Sequence, residues 1–139
     1  EYFSLEVPDN QLHDEFLNLP LNELMLHIQK AIEKGHPVCW EGDISEKGFQ
    51  HPKNNYVDIQ PTEHPVTQVS RQREYEQLRT TDDHVMEIIG TFLKGKKRYY
   101  VCRNSWGKDW GCNGLIYLSE DYIKLKTIAV YMSEDAYIA

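Results

Sequence analysis

Two side chains of this sequence, His84 and Asn104, have the types and the spacing of a catalytic base and the group that orients it. His84 opens an apolar run typical of a strand, and Asn104 closes the next run of this kind. The start of one strand and the end of the next are adjacent in an antiparallel hairpin, so the two side chains are expected to meet. A histidine oriented by an asparagine is the base half of a site whose nucleophile is a cysteine.

The residues around this pair fit the same chemistry. An imidazolium stabilises a thiolate, and the asparagine oxygen holds the second ring nitrogen without adding a full charge. Trp106 is expected to shield the hydrogen bond between His84 and Asn104 from water. Asp82 and Asp83 precede the histidine, and two roles stay open for them. Their charge favours a protonated imidazole, or they are simple turn residues.

The chain's own cysteines do not fit the role of nucleophile. Cys39 lies in a short apolar run typical of a buried strand, and Cys112 lies in a glycine-rich loop. Cys102 is expected to share a strand face with Asn104, although a buried core position is the simpler interpretation. None follows a helix start, where the helix dipole would favour a thiolate. An odd count of three indicates free thiols.

Length and composition indicate one globular domain over residues 1–139. Of its 139 residues, 40% are hydrophobic, which is enough for a single core. The formal net charge of -7 argues against a nucleic-acid partner, because no basic stripe can neutralise phosphates. No apolar run approaches the roughly 18 residues of a membrane helix, so no membrane partner is expected. The other histidines lack ligand spacing, and the sequence predicts no metal and no cofactor.

The pattern of apolar and turn residues predicts the elements that position the pair. A helix is predicted after Pro20 with its end at Gly35, and a loop is predicted from Gly42 to Pro65. A surface helix is predicted from Thr67 to Leu78, and a helical turn capped by Ser119. The predicted strands are Val38–Trp40, Val85–Ile89 ending at Gly90, Arg98–Arg103, Leu115–Leu118 and Ile128–Met132. The predicted fold class is α+β, with a mostly antiparallel sheet and helices to one side.

The motifs around the pair resemble a known family. His84, Asn104–Gly107, Trp110–Gly111 and Asn113–Leu115 resemble the C-terminal half of the papain-like cysteine peptidases. Further segments are similar to the bleomycin hydrolase and aminopeptidase branch: Asn18–Glu23, Ala31–Gly35, Asp43–Phe49, Thr80–His84 and Tyr122–Thr127. Glu87 departs from the pattern, where a histidine or an apolar residue is expected. The resemblance implies the sheet-rich, half-barrel C-terminal part of the papain-like fold, preceded by a helix.

The resemblance also implies roles. His84 matches the general base and thiolate partner, Asn104 the orienting residue and Trp106 the tryptophan beside it. The nucleophilic cysteine and an oxyanion-hole glutamine belong to the family's N-terminal half. The isolated chain is therefore expected to be inactive, and to act on a peptide substrate only with the upstream half of the same protein. The tail Asp135–Ala139 is expected to lie in the cleft, where its carboxylate holds the amine of a substrate.

A second hypothesis is not enzymatic. The chain would be an inactive fragment or a degenerate relative that acts as a binding or assembly domain. Half of a peptidase exposes an apolar face where the other half packs, and such faces drive association. A homo-oligomer is therefore expected.

Overall fold

A computed structural model describes residues 1–4 and 15–137 and shows a six-stranded sheet with helices packed against it. The strands are Tyr2–Ser4 (β1), Glu15–Leu17 (β2), Val38–Gly42 (β3), Tyr56–Val57 (β4), His84–Lys94 (β5), Lys97–Arg103 (β6), Leu115–Ser119 (β7) and Thr127–Tyr131 (β8). The helices are Leu21–Glu33 (α1), Lys47–Gln50 (α2), Gln68–Glu76 (α3), Glu120–Lys126 (α4) and Glu134–Tyr137 (α5), with a 3₁₀ turn at Pro61–Glu63.

The order of the strands confirms the predicted α+β class. The sheet runs β4-β7-β6-β5-β3-β8, and every pairing in it is antiparallel except that of β4 with β7. β5 and β6 form the predicted hairpin across a turn in which Gly95 has a φ of 64°. β1 and β2 pair with each other as a separate ribbon, which the sequence pattern did not predict.

Helix α1 lies where the apolar spacing predicts it. It begins after Pro20 and buries one face against the sheet. The buried residues are Leu21, Met25, Ile28, Ala31 and Ile32. Gly35, with a φ of 84°, takes the left-handed conformation just beyond its end. No helix in the described ranges is both long and apolar enough to cross a membrane.

Two parts of the backbone differ from the sequence-based expectation. The stretch 42–65 is not a plain loop, since it contains α2, β4 and the 3₁₀ turn. Strand β5 does not end at Gly90 but continues to Lys94, with an irregularity in its pairing between Ile88 and Gly90. A glycine inside a strand often marks such a bulge, so Gly90 lies at an irregularity within β5 and does not end the strand.

Helix α4 connects segments that precede the hairpin to the core through hydrogen bonds. Ser119 caps its start, as predicted, by accepting a hydrogen bond of 3.0 Å from the Tyr122 N–H. The carbonyls at its other end would be left without partners in an isolated helix. The Ile123 carbonyl accepts from the N–H and the hydroxyl of the capping residue Thr127. The last three carbonyls accept from other parts of the chain: Lys124 from Arg71 Nη1, Leu125 from Thr80 Oγ1 and Lys126 from the Asp43 N–H.

Candidate active site

His84 and Asn104 lie in contact at one edge of the hairpin. His84 is the first residue of β5, and Asn104 directly follows the end of β6. The His84 Nε2 atom and the Asn104 Oδ1 atom are 2.9 Å apart. The antiparallel register therefore brings together the two side chains that the sequence selected.

The hydrogen bonds of Asn104 define the direction of this contact. Its amide oxygen also accepts the Ser105 N–H at 2.8 Å, which fixes that atom as the oxygen end of the amide. Because an amide oxygen only accepts, Nε2 of His84 must donate to it. The other ring nitrogen, Nδ1, takes no part in this hydrogen bond and is the one that could contact a cysteine sulfur. Asn104 is buried, and its Nδ2 has no hydrogen-bond partner within the described ranges.

Trp106 contacts the imidazole, as the sequence predicted. The two ring centroids are 4.9 Å apart with the planes tilted by 45°. Trp110 meets Trp106 edge-on at 5.1 Å, and Phe49 stacks on Trp110 at 6.0 Å. A row of aromatic rings thus connects His84 to the buried core. Trp106 itself is 50% exposed, so its shielding of the hydrogen bond is incomplete in this chain.

The loop after Asn104 depends on glycine at a close approach. Gly111 has a φ of 61°, and a Cβ at that position would overlap the carbonyl oxygen of Leu115. The turn returns the chain so that the Asn104 N–H donates to the carbonyl of Gly114 at 3.1 Å. The loop thereby anchors the asparagine backbone beside the imidazole.

A buried carboxylate that the sequence analysis missed lies behind the histidine. Asp43 is fully buried and follows β3. Its Oδ1 accepts from the N–H and the hydroxyl of Ser45, and its Oδ2 accepts from the N–H and the hydroxyl of Thr81. An aspartate bonded to the N–H two residues later forms an Asx turn, and this local pattern was the available signal.

Asp83, directly before His84, stabilises the turn that leads into β5. Its carboxylate accepts the Ile44 N–H at 2.9 Å and the Thr81 hydroxyl at 3.1 Å. Burial and the charge of Asp43 raise the pKa of Asp83, although its hydrogen bonds and the charge of His84 oppose that rise. The geometry favours the turn interpretation, while the charge of Asp83 also acts on the histidine.

The three cysteines are free thiols, and two of them lie in settings that oppose a thiolate. Burial, followed by the charges of Glu41 and Glu87, raises the pKa of Cys39. Cys102 is completely buried in the core, and burial raises the pKa of its thiol. Cys112 lies in the glycine-rich loop and pairs with Leu115. A nucleophilic cysteine needs a lowered pKa, so neither Cys39 nor Cys102 suits that role.

The fold brings together one group with metal-ligand chemistry, which spacing in the sequence did not reveal. Ligand atoms of Asp58, His64 and Asp121 lie within 4.8 Å of one another. The carboxylate of Asp58 already bonds to Lys97 and Ser119. Burial alone would raise the pKa of Asp58, but these hydrogen bonds hold it below its ordinary value. A carboxylate neutralised by an ammonium group is a poor cation ligand, and we assign no metal to this group.

Comparisons with known proteins identify the family. The family model described as papain family cysteine protease matches residues 11–134. Silicatein from Petrosia ficiformis is 26% identical over 106 residues, covering 76% of this chain and 27% of the relative. Cathepsin J from Rattus norvegicus is 26% identical over 111 residues, covering 76% of this chain and 28% of the relative.

A solved structure shows the same fold. PepW from Lactobacillus rhamnosis superposes with a TM-score of 0.73 at 17% identity, covering 98% of this chain and 32% of PepW. The chain thus spans about a quarter of the length of the two curated relatives and about a third of PepW. Because the family model matches most of its length, this chain belongs to the papain family of cysteine proteases.

Proposed function

We propose that this chain forms a single domain, residues 1–139, which is the C-terminal part of a thiol peptidase of the bleomycin hydrolase and aminopeptidase branch. In this proposal His84 is the catalytic base, Asn104 orients it and Trp106 supports the pair. The nucleophilic cysteine lies on an upstream segment of the same protein.

One observation carries the proposal, namely the hydrogen bond from His84 Nε2 to Asn104 Oδ1. It fixes the ring so that Nδ1 can pair with a thiolate as an imidazolium. The thiolate attacks the carbonyl carbon of the scissile amide, and His84 gives its proton to the leaving amine as the C–N bond breaks. His84 then takes a proton from water, which attacks the acyl-enzyme carbonyl and releases the acid and the sulfur.

The exposure of apolar side chains supports an upstream partner at this site. Val85, next to the histidine, and Trp106 are both about half exposed, at 52% and 50%. A segment packed over His84 would cover these apolar surfaces.

The aminopeptidase character rests on the resemblance of the sequence motifs. The tail was expected to lie in the cleft, and its described part forms α5, where Tyr137 stacks on His27 at 4.5 Å. Ile138 and Ala139 lie outside the described residues. The role of the tail stays a prediction.

Reconstitution tests the proposed function. The chain alone, the upstream segment alone and the two together are assayed with a fluorogenic aminoacyl substrate and with the same substrate acetylated on its amine. We expect hydrolysis only from the mixture, preference for the free amine, and loss of activity with His84→Ala. Activity of the chain alone would contradict the claim that the nucleophile lies upstream. Preference for the acetylated substrate would contradict the aminopeptidase assignment.

The second candidate is a binding or assembly domain without catalysis. The half-exposed side chains of Val85 and Trp106 support it, because an apolar surface of this kind can bind a partner whether or not catalysis follows. Absence of hydrolysis by the complete protein, with His84 and Asn104 in contact, would favour this candidate over the enzyme.

A further inference from the structure

We propose that Asp43 is a positioning residue for His84. Its buried carboxylate holds the backbone turn before His84 in the position that lets the imidazole contact Asn104. The inference rests on the proposed function, since it concerns the same base. Asp43 touches neither ring nitrogen in the described contacts and acts through the turn before the histidine.

The backbone around His84 is joined to the end of β3. His84 pairs with Gly42 in the register of β3 and β5. The Asp83 N–H donates to the carbonyl of Gly42 at 3.3 Å, and the Ile44 N–H donates to the Asp83 carboxylate at 2.9 Å. The segments 42–45 and 81–84 therefore run side by side, with Asp43 between them.

The Asp43 carboxylate supplies two further connections between these segments. It accepts from the Thr81 N–H at 2.8 Å and from the Thr81 hydroxyl at 3.1 Å. On its own side it accepts from the Ser45 N–H at 2.7 Å and from the Ser45 hydroxyl at 2.6 Å. Hydrogen bonds to an ionised oxygen are roughly twice as strong as neutral ones, and Asp43 has no exposure to water, which would compete for them.

Asp43 is itself held by the core through α4. Its N–H donates to the carbonyl of Lys126 at 3.0 Å, and its carbonyl accepts from the Tyr122 hydroxyl at 2.6 Å. Both partners are fully buried. The residue thus connects a rigid helix to the turn that precedes the base.

The imidazole depends on this turn because few other contacts fix it. His84 is half-buried, and its described side-chain contacts are the hydrogen bond to Asn104 and the ring contact with Trp106. A displacement of about 1 Å at a catalytic group can cost about 100-fold in rate. A carboxylate that lies 38 residues from Thr81 in the chain, but is bonded to the turn before the histidine, can thereby govern catalysis without touching substrate.

The test replaces Asp43 by an isosteric amide. Asp43→Asn keeps one acceptor oxygen and turns N–H donors toward either Thr81 or Ser45, so one set of bonds is lost. Asp58→Asn is the control, because Asp58 is a second aspartate with several hydrogen bonds, but it is only partly buried and contacts Lys97 and Ser119, away from His84. The ¹⁵N NMR shifts of the His84 ring report its tautomer in the 139-residue chain, and kcat and KM are measured on the complete peptidase.

We expect the wild type and Asp58→Asn to show a single Nε2-protonated tautomer, and Asp43→Asn to show a mixture. In the complete peptidase, kcat of Asp43→Asn should fall about 10- to 100-fold with KM within about twofold. An unchanged tautomer with unchanged kcat, or an equal change in Asp58→Asn, overturns the inference.

A milder variant keeps the test decisive if Asp43→Asn does not fold. Ser45→Ala removes a hydroxyl that donates to Asp43, keeps the N–H that Asp43 also accepts, and leaves the bonds of Thr81 and Asp83 unchanged. It should shift the tautomer in the same direction by a smaller amount, and no shift would overturn the inference. Failure of the proposed function gives a different result: the complete protein would then show no hydrolysis, or His84→Ala would retain it, while the His84 tautomer would still separate Asp43→Asn from Asp58→Asn.

Discussion

The direction of one hydrogen bond determines what His84 can do. Asn104 Oδ1 accepts both the Ser105 N–H and the imidazole Nε2, so the ring presents Nδ1 to any sulfur brought beside it. A glutamate or aspartate in place of Asn104 would add a charge next to the ring, whereas the amide orients it and stays neutral. Residue type and geometry are therefore both compatible with the proposed role of His84 as a base.

Lys126 is a buried charge near the same turn, and its removal should be costly. Its side chain is fully buried, and its Nζ lies 2.9 Å from Glu46 Oε1 and 2.9 Å from the carbonyl of Arg79. Lys126→Met would leave Glu46 mostly buried without its partner. We expect the free energy of unfolding, measured by urea denaturation, to fall by about 3–5 kcal/mol.

Lys124 on the same helix gives the control for this prediction. It pairs with Glu120 at 3.2 Å near the surface, and such pairs contribute little. Lys124→Met should change the free energy of unfolding by about 0.5 kcal/mol or less. Equal losses in the two variants would show that burial does not distinguish these ion pairs.

At the scale of elements, strand β3 must end in a glycine. A Cβ on Gly42 would overlap the indole of Trp40 and the carbonyl oxygen of Lys126, and neither is free to move. Trp40 is fully buried and donates from Nε1 to Thr127 Oγ1 at 2.7 Å. Gly42→Ala should therefore lower the free energy of unfolding by about 1–3 kcal/mol in denaturant titrations.

Gly90 in the partner strand provides the comparison. A Cβ there would meet Val101 at 3.7 Å, an ordinary contact distance. Gly90→Ala should leave stability unchanged or slightly raised, since alanine restricts the unfolded chain. A larger loss for Gly90→Ala than for Gly42→Ala would contradict the steric argument.

The elements near the site differ in how far the sequence could predict them. α1 and the β5–β6 hairpin have strong periodicity and a glycine turn, and both lie where expected. The short elements within 42–65 have no repeating apolar pattern from which they could be predicted. They are ordered by packing against other segments. The Asx turn of Asp43 with Ser45 is a local pattern, but the contact of Asp43 with Thr81 joins residues 38 apart in the chain and no local rule predicts it.

The register of β5 and β6 explains why Glu87 can depart from the family pattern. Glu87 sits opposite Arg103 in the pairing of β5 with β6, and their side chains form an ion pair of 3.7 Å. Both side chains are substantially exposed. A charged residue is therefore tolerated there, and the exposed pair adds little stability.

At the scale of the whole molecule, the chain matches about a third of the length of a protein with the same fold. It covers 32% of PepW while 98% of its own residues superpose. Apolar side chains beside the base, Val85 and Trp106, are half exposed. We expect this surface to drive self-association of the isolated chain, because large exposed apolar patches are typical of interfaces.

Light scattering after size exclusion tests that expectation. The isolated chain should show a mass at least twice 16.4 kDa, and the upstream segment should replace the homo-oligomer by a one-to-one complex. Trp106→Ser should weaken the self-association. A monomer of 16.4 kDa at all concentrations would contradict the prediction.

The central claim is that His84 forms an ion pair with a cysteine thiolate, and the pH dependence of alkylation tests it most directly. The rate of iodoacetamide reaction with the catalytic cysteine is measured from pH 5 to pH 10 in the complete peptidase, with and without His84→Ala. We predict that the wild type reacts well below pH 7, and that the variant reacts only as pH approaches an ordinary thiol pKa of about 8.5. Identical pH profiles for the two proteins would contradict the account.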